Sequence, residues 1–474
     1  MRRHRLDAVP AQARAGIRRL RDDLGLPAHF SPEAVAQAER LRAHPPKTDA
    51  HADWTHVEFV TIDPASSMDL DQALHIERVP GGYRVRYAIA DVGHWVEPGS
   101  PLDAEAHRRG ETFYAPGARI PLHPPALSED AASLLADGRP RPAIVWTHLL
   151  DERGQTVETT LTRALVLNRA KLDYSGVQRD LDAGRAHPSI ALLPEVGRLR
   201  QRLEMERGGI NLRLPEQEIV EVADGWDLVF RALHPVEAWN AQISLLTGFR
   251  AARLQVDGAV GILRVLPPAE DFAIARLRRQ ARAVGVDWPQ GLSYPDFVRG
   301  LSPERPRELA VLVKCTMLFR GAGYALVGGE GGTVHSALGT QYAHVTAPLR
   351  RLVDRYALEA CLALAEGREV PDWVLAALPE LPATMRRAGT LANAYERGVM
   401  SIAEALELAN RVGESFDGVL VDVHPKTGRG LVQIAEPAVE LQLQAEQRDV
   451  GKTIRVRIER VDVDAGEVQL ARLS

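Results

Sequence analysis

The chain has 474 residues, enough for two to four domains at roughly 100–200 residues each. Its 45% hydrophobic and 26% charged residues are typical of a globular protein. No apolar run approaches the ~20 residues that span a bilayer and no secretory signal pattern opens the chain, so membrane and secreted readings are poor. The net charge of −5 excludes a uniformly basic coat, so a nucleic-acid ligand would have to be held by local patches.

Cys315 and Cys361 lie far apart in apolar helical patterns, which excludes a disulfide framework and a CxxC zinc site and points to a reducing cytoplasm. Arginine supplies nearly all the positive charge, since the chain has five lysines, and a GC-rich genome is reason enough for that bias.

The first fifty residues read as helical and basic. Arg2, Arg3, Arg5, Arg14, Arg18, Arg19 and Arg21 face a single acid, Asp7, and Ile17, Leu20 and Leu24 fall at helical spacing before a Gly25 stop. Ser31-Pro32-Glu33 is an N-cap with proline at the first helical position, opening a second helix to about Ala43. A small helix-turn-helix unit, winged or not, and a helical arm both fit, and His44–Asp53 reads as a linker.

From Trp54 the hydrophobic period changes to two, and strands are expected over His56–Ile62, Ala73–Val79 and Tyr83–Val92. Helical patterns follow at about Pro194–Arg207, Pro235–Val256, Ala269–Val284, Pro306–Phe319, Pro348–Ala365 and Ala383–Ala409. A strand-rich start and a helix-rich remainder suggest a large α+β domain. Short strands over Phe416–Val423, Gly430–Ile434, Ile454–Val463 and Glu467–Leu473 suggest a small C-terminal barrel of OB type. The expected division is 1–53, 54–412 and 413–474.

The most informative stretch is the loop Asp63-Pro64-Ala65-Ser66-Ser67-Met68-Asp69-Leu70-Asp71, between two expected strands. No Lys or Arg occurs from Trp54 through Glu77, so its three carboxylates should raise one another's pKa unless a cation sits among them. Hard oxygen ligands of this kind suit magnesium or manganese, and two such ions ~4 Å apart can activate water and stabilise a leaving oxygen in phosphodiester hydrolysis. Near Thr346-Ala347-Pro348, a helix expected to start at Pro348 carries Arg350 and Arg351 in its first turn, against the helix dipole. Backbone N–H groups and guanidinium groups there would make a phosphate site. On the residues alone, a solvated acidic turn capped by Asp69 and two solvated arginines answered by Asp354 remain open.

With these two motifs the chain resembles the ribonuclease II and ribonuclease R family of exoribonucleases. The likeness runs from about Trp54 to Val412. It includes Arg109-Gly110-Glu111-Thr112-Phe113-Tyr114, Ile120-Pro121-Leu122, Leu214-Pro215-Glu216 and Val236-Glu237-Ala238-Trp239-Asn240. The resemblance implies an RNB-type catalytic domain that hydrolyses single-stranded RNA processively from the 3′ end with magnesium, releasing nucleoside 5′-monophosphates. It implies metal-site and catalytic roles for Asp63, Asp69 and Asp71, and a contact from Arg350 to the scissile phosphate, with Arg351 beside it. Tyr114 would stack on the 3′-terminal base, Tyr174 and Glu237 would sense the ribose, and Glu396 would be a further pocket acid. Gln72 stands where the family commonly has a second aspartate, so a metal position there would keep a carbonyl oxygen but lose a charge. Ala347 replaces the usual serine beside the proline.

Members usually begin with two cold-shock barrels, which fifty helical residues cannot encode, so further digestion into paired regions is expected. The C-terminal unit resembles an OB barrel of the ribosomal S1 type. Phe416 is its only aromatic residue, which leaves phosphate contacts to Arg429, Lys452, Arg455 and Arg457. RNA is thus the expected partner, with no membrane and a monomeric state. A non-catalytic RNA-binding protein is the alternative.

Overall fold

The computed structural model describes residues 11–115, 119–212, 214–222, 225–319, 321–329 and 332–473. Arg2, Arg3, Arg5 and Asp7 lie outside the described residues.

A seven-stranded sheet forms the framework of the large domain. Its strands are β1 (Ala52–Asp53), β2 (Phe59–Ile62), β3 (Gln72–Val79), β4 (Gly82–Ala90), β5 (Arg141–Asp151), β6 (Thr156–Val166) and β7 (Asn168–Leu172). They run in the spatial order β1-β6-β5-β4-β3-β2-β7, with β1/β6 and β2/β7 parallel and the other pairs antiparallel. The Gly81-Gly82 turn joins β3 to β4 with both glycines at positive φ. The strands β5 and β6 were not expected. Central β5 is buried on both faces and so lacks the period-two alternation that marks a half-buried strand.

Two long helices bury one face of this sheet. α6 (Pro235–Asp257) packs beside α5 (Leu193–Glu206), and α7 (Leu352–Ala365) is buried on nearly every side. A helix enclosed all round lies in a core, where periodicity no longer signals a face. Cys361 sits buried on α7, Cys315 is buried elsewhere, and both thiols are free. No helix among the described residues is long and apolar enough to cross a membrane.

The N-terminal helices α1 (Ala11–Asp23) and α2 (Pro32–Ala43) form where expected, α2 with Ser31 as N-cap. They do not share a core of their own. α1 packs on the long α8 (Leu381–Leu408), where Gly398 leaves room for Leu20 and Gly16 lies against the Asp464 carbonyl of the C-terminal unit. α2 instead joins the cluster around α3 (Pro101–Arg109). The helix-turn-helix expectation therefore gives way to a helical arm.

The segment between α1 and α2 is pinned by one buried side chain. Arg109 donates to the carbonyls of Pro27 and Pro121 (3.2 Å each) and His29 (2.8 Å), pairs with Glu105 at 3.1 Å, and lies over the Phe30 ring. Removing the guanidinium leaves three carbonyls without their donor, while Glu105 keeps its pairing with Arg108 at 2.6 Å. We expect Arg109→Met to destabilise the fold by about 1–3 kcal/mol in urea titrations. A loss below about 1 kcal/mol would show that water replaces the guanidinium.

The C-terminal unit is a nearly closed five-stranded barrel. It comprises β8 (Ser415–Val423), β9 (Arg429–Ile434), β10 (Val439–Gln444), β11 (Thr453–Asp462) and β12 (Glu467–Arg472), in the order β10-β9-β8-β11-β12. The unexpected β10 pairs in register with β9. Phe416 is partly buried against the barrel core, so no aromatic face is offered there. Lys452, Arg455 and Arg457 stand exposed, each beside an acid. The architecture is the α+β catalytic domain, helical N-terminal region and OB barrel that the sequence suggested.

Candidate active site

The acidic loop leaves β2 at Ile62 and enters β3 at Gln72, and its conformation is fixed from behind by Ser133. That buried hydroxyl accepts the Leu70 N–H at 2.9 Å and donates to the Met68 carbonyl at 2.7 Å. The far end is tied to β4, since the Asp71 carbonyl accepts the Ala90 N–H at 2.9 Å. These bonds bury Asp71 (3% exposed) and leave Asp63 and Asp69 partly exposed.

The loop's missing cations come from three distant segments. Arg350 Nε lies 3.4 Å from Asp71 Oδ2, while the Leu349 N–H donates to Asp71 Oδ1 at 2.7 Å. Arg119 donates to Asp69 at 2.8 Å and also pairs with Glu129. Lys171, on β7, donates to the carbonyls of Ala65 (2.9 Å) and Ser67. The loop is unneutralised only along the chain, not in space. Arg119 and Lys171 carried no local signal, although Arg119 stands between two segments of the family likeness.

The arginine segment differs from expectation in one respect. The helix starts at Leu352, with Arg351 as N-cap, so both arginines precede the first turn. Asp354 sets this boundary: its buried carboxylate accepts the Ala347 N–H at 2.7 Å and takes two bonds of 2.9 Å from Arg351. Arg351 is thus engaged with Asp354 through Nε and Nη2. Arg350 differs, being 44% exposed, with no hydrogen-bond partner among the described residues for either terminal nitrogen.

A short bridge carries Tyr114 to the same place. Thr112 N–H donates to the Arg350 carbonyl and Leu352 N–H to the Gly110 carbonyl, both at 2.9 Å. Tyr114 follows on the exposed side (44%), its hydroxyl donating to Asp69 Oδ2 at 3.3 Å. Tyr174, at the start of α4 (Tyr174–Asp182), is hydrogen-bonded to Asn240 and feels the charge of Asp63.

Three other residues stand differently. Glu237 is close enough to act on Tyr174, but its carboxylate caps α6 at the His234 N–H (2.8 Å) and pairs with Arg231 at 2.6 Å. Glu396 is exposed on α8, with no bond to the cluster among the described residues. Gln72 donates its amide to the Thr346 carbonyl, so it ties the two halves together by its nitrogen.

Burial raises Asp71 well above the usual carboxylate range, against the pull of Arg350 and the Leu349 N–H. Burial also pushes Asp63 up to about 6, with Arg350 opposing and Asp69 adding to the rise. One Asp63 oxygen, Oδ2, is buried without a partner. No set of three or more ligating groups converges on one point among the described residues. The orphaned Asp63 oxygen and the crowded hard carboxylates nevertheless have the donor chemistry of a divalent magnesium-type ion.

As a ligand of such an ion, Asp63 would link metal binding to stability. A carboxyl whose folded pKa is raised contributes stability below its unfolded value of about 4, and that contribution is lost as pH rises through about 6. We expect Asp63→Asn to raise the melting temperature of metal-free protein at neutral pH, by on the order of 1–2 kcal/mol of stability, and not at pH 4. Magnesium should stabilise the wild type more than the variant. Identical melting profiles with and without the ion would remove Asp63 from the ligand set.

Comparison with known proteins bears on the whole arrangement. Residues 51–364 match the RNB domain, and residues 414–473 match the RNase II-type exonuclease C-terminal S1 domain. The chain belongs to the RNB family. Ribonuclease R of Escherichia coli is 26% identical over 477 residues, covering 89% of this chain and 57% of its own length. Curated relatives are spanned over 34% to 62% of their length, so the chain corresponds to only part of each.

Among solved structures, Mycoplasma genitalium RNase R in complex with ribose-methylated single-stranded RNA superposes with a TM-score of 0.87. It is 19% identical, and the match covers 98% of this chain and 78% of that one. Yeast Ssd1, a pseudonuclease, matches with a TM-score of 0.68 at 14% identity, over 92% and 54% of the two chains. These likenesses establish the shared fold.

Proposed function

We propose that the chain is a processive 3′→5′ exoribonuclease that hydrolyses single-stranded RNA to nucleoside 5′-monophosphates with magnesium, or manganese in its place. The observation that carries this reading is the meeting of Asp71 with Arg350, the two joined beside a bond from Leu349 that spans 278 residues of sequence.

Arg350 presents unpaired guanidinium nitrogens where a scissile phosphate would lie beside the carboxylates. Tyr114 offers an exposed ring for the terminal base, a contact that tolerates any sequence. Tyr174, positioned by Asn240, supplies a hydroxyl for the ribose. A divalent ion held by Asp63, Asp69 and Asp71 would polarise the phosphate and lower the pKa of the attacking water. Water would add to phosphorus as the bond to the 3′ oxygen breaks, losing one proton to solvent while the departing 3′ oxygen takes one up to become the hydroxyl. Arg351 acts by fixing, through Asp354, the backbone turn that carries Arg350.

The same reading divides the chain near 53/54 and 412/413. It assigns RNA binding to the barrel and places the protein in the cytoplasm as a monomer.

A second reading, a catalytically impaired RNA-binding protein, draws on Gln72, whose amide is committed to Thr346, and on the fold shared with a pseudonuclease. One assay separates the two. With 5′-labelled single-stranded RNA and magnesium, the exonuclease shortens the label progressively and releases mononucleotides. The impaired protein binds the RNA and leaves it intact.

A further inference from the structure

Beyond the acidic loop, the structure holds a second concentration of arginine. A cleft of about 540 Å³ opens between the C-terminal halves of α5 and α6, near the β5–β6 turn. Arg200, Arg207, Arg250 and Arg253 line it, against the single carboxylate of Glu206. On α6, Arg250 lies ten residues beyond Asn240, about 15 Å along the helix, so the cleft is separate from the proposed active site.

What marks this cleft is unsatisfied donors. Arg200 is 5% exposed; one of its nitrogens donates to the Gly154 carbonyl at 2.9 Å, while its Nε is buried with no partner. Arg207 Nε and Nη2 and Arg250 Nε are likewise buried and unpartnered. The Arg207 guanidinium lies over the Phe249 ring at 4.8 Å, which fixes its plane without answering a single N–H. Among the described residues Arg253 alone of the four forms an ion pair, with Asp257 at 2.8 Å, and Glu204 and Glu206 lie near enough to Arg207 to answer part of its charge.

We propose that this cleft is a binding site for a phosphate dianion, either inorganic phosphate or the phosphate of a nucleoside 5′-monophosphate. Water could satisfy the N–H groups but not the like charge that gathers them. Burial and the charges of Arg207 and Arg250 bring Arg200 down to about 10, and burial with Arg200 and Arg250 holds the neighbouring His148 down at about 3. An anion answers both demands, and guanidinium forks match tetrahedral oxyanions. The volume falls within the roughly 300–1,000 Å³ of small-ligand pockets, large enough for a nucleotide. The inference stands whether or not the chain is a nuclease.

The test is calorimetric titration of the full chain with inorganic phosphate, AMP and adenosine at constant ionic strength. Arg200 is left in place because it also holds Gly154, and Arg207→Gln and Arg250→Gln are used instead. Phosphate is expected to bind each cleft variant at least about tenfold more weakly than the wild type, and titration of Arg350→Gln separates any binding at the acidic loop from binding in the cleft. AMP binding markedly tighter than phosphate, with adenosine silent, identifies a nucleotide as the occupant, and equal affinities identify free phosphate. The proposal is overturned if the wild type binds no phosphate, if both cleft variants bind it normally, or if Arg350→Gln alone abolishes binding.

Discussion

Asp71→Asn is expected to lower the rate of RNA hydrolysis by about three or more orders of magnitude while leaving RNA affinity near that of the wild type. The carboxylate is 3% exposed and held at both oxygens, by the Leu349 N–H and by Arg350, so its position is set before any substrate arrives. The amide keeps the shape and loses the charge, and stabilising charge is the dominant contribution in phosphoryl transfer. Affinity is spared because removing a negative charge also weakens repulsion of the RNA backbone. Single-turnover rates measured beside binding isotherms separate the two effects, and a variant retaining a tenth of the rate would contradict the assignment.

Arg350→Lys should be nearly as damaging, with a loss of about 10²–10³-fold in rate. The arginine reaches Asp71 through Nε and keeps two terminal nitrogens without partners among the described residues, a fork that an ammonium cannot reproduce. The adjacent arginine supplies the contrast. Arg351→Gln would strip a buried carboxylate, Asp354, of its partner, so its principal effect should be a drop in melting temperature. Comparing kcat and melting temperature for the two variants checks both roles. Normal turnover in Arg350→Lys would make that residue a solvated surface charge.

Much of this site was legible because its chemistry is local in sequence. Three aspartates in nine residues, and two arginines beside Thr346-Ala347-Pro348, are patterns that a single pass along the chain can find. What closes the charge balance was not legible. Arg119 and Lys171 meet the loop through strand pairing and side-chain reach, which leave no periodic trace. The helix start was misplaced by four residues because Pro348 is a strong N1 signal, whereas the true boundary depends on the Asp354 carboxylate reaching back to Ala347. Likewise β5 is enclosed on both faces, and enclosure erases the alternation by which a strand is recognised, whereas the helix that is also enclosed, α7, was still expected from its length. The barrel was recognised despite a missing strand because its turns and other strands sufficed.

The hydrogen bond from Leu349 to Asp71 also sets a condition on synthesis. Chains emerge N-terminus first, and the acidic loop is made 278 residues before its backbone donor and its guanidinium. Until that later segment has left the ribosome and docked, Asp71 has neither partner, although Arg119 and Lys171, made earlier, can already answer the rest of the loop. A nascent chain that already exposes its first strands would therefore still lack the completed site. On the proposed function, completion of the site would thus be timed by contact distance along the chain rather than by an inhibitor.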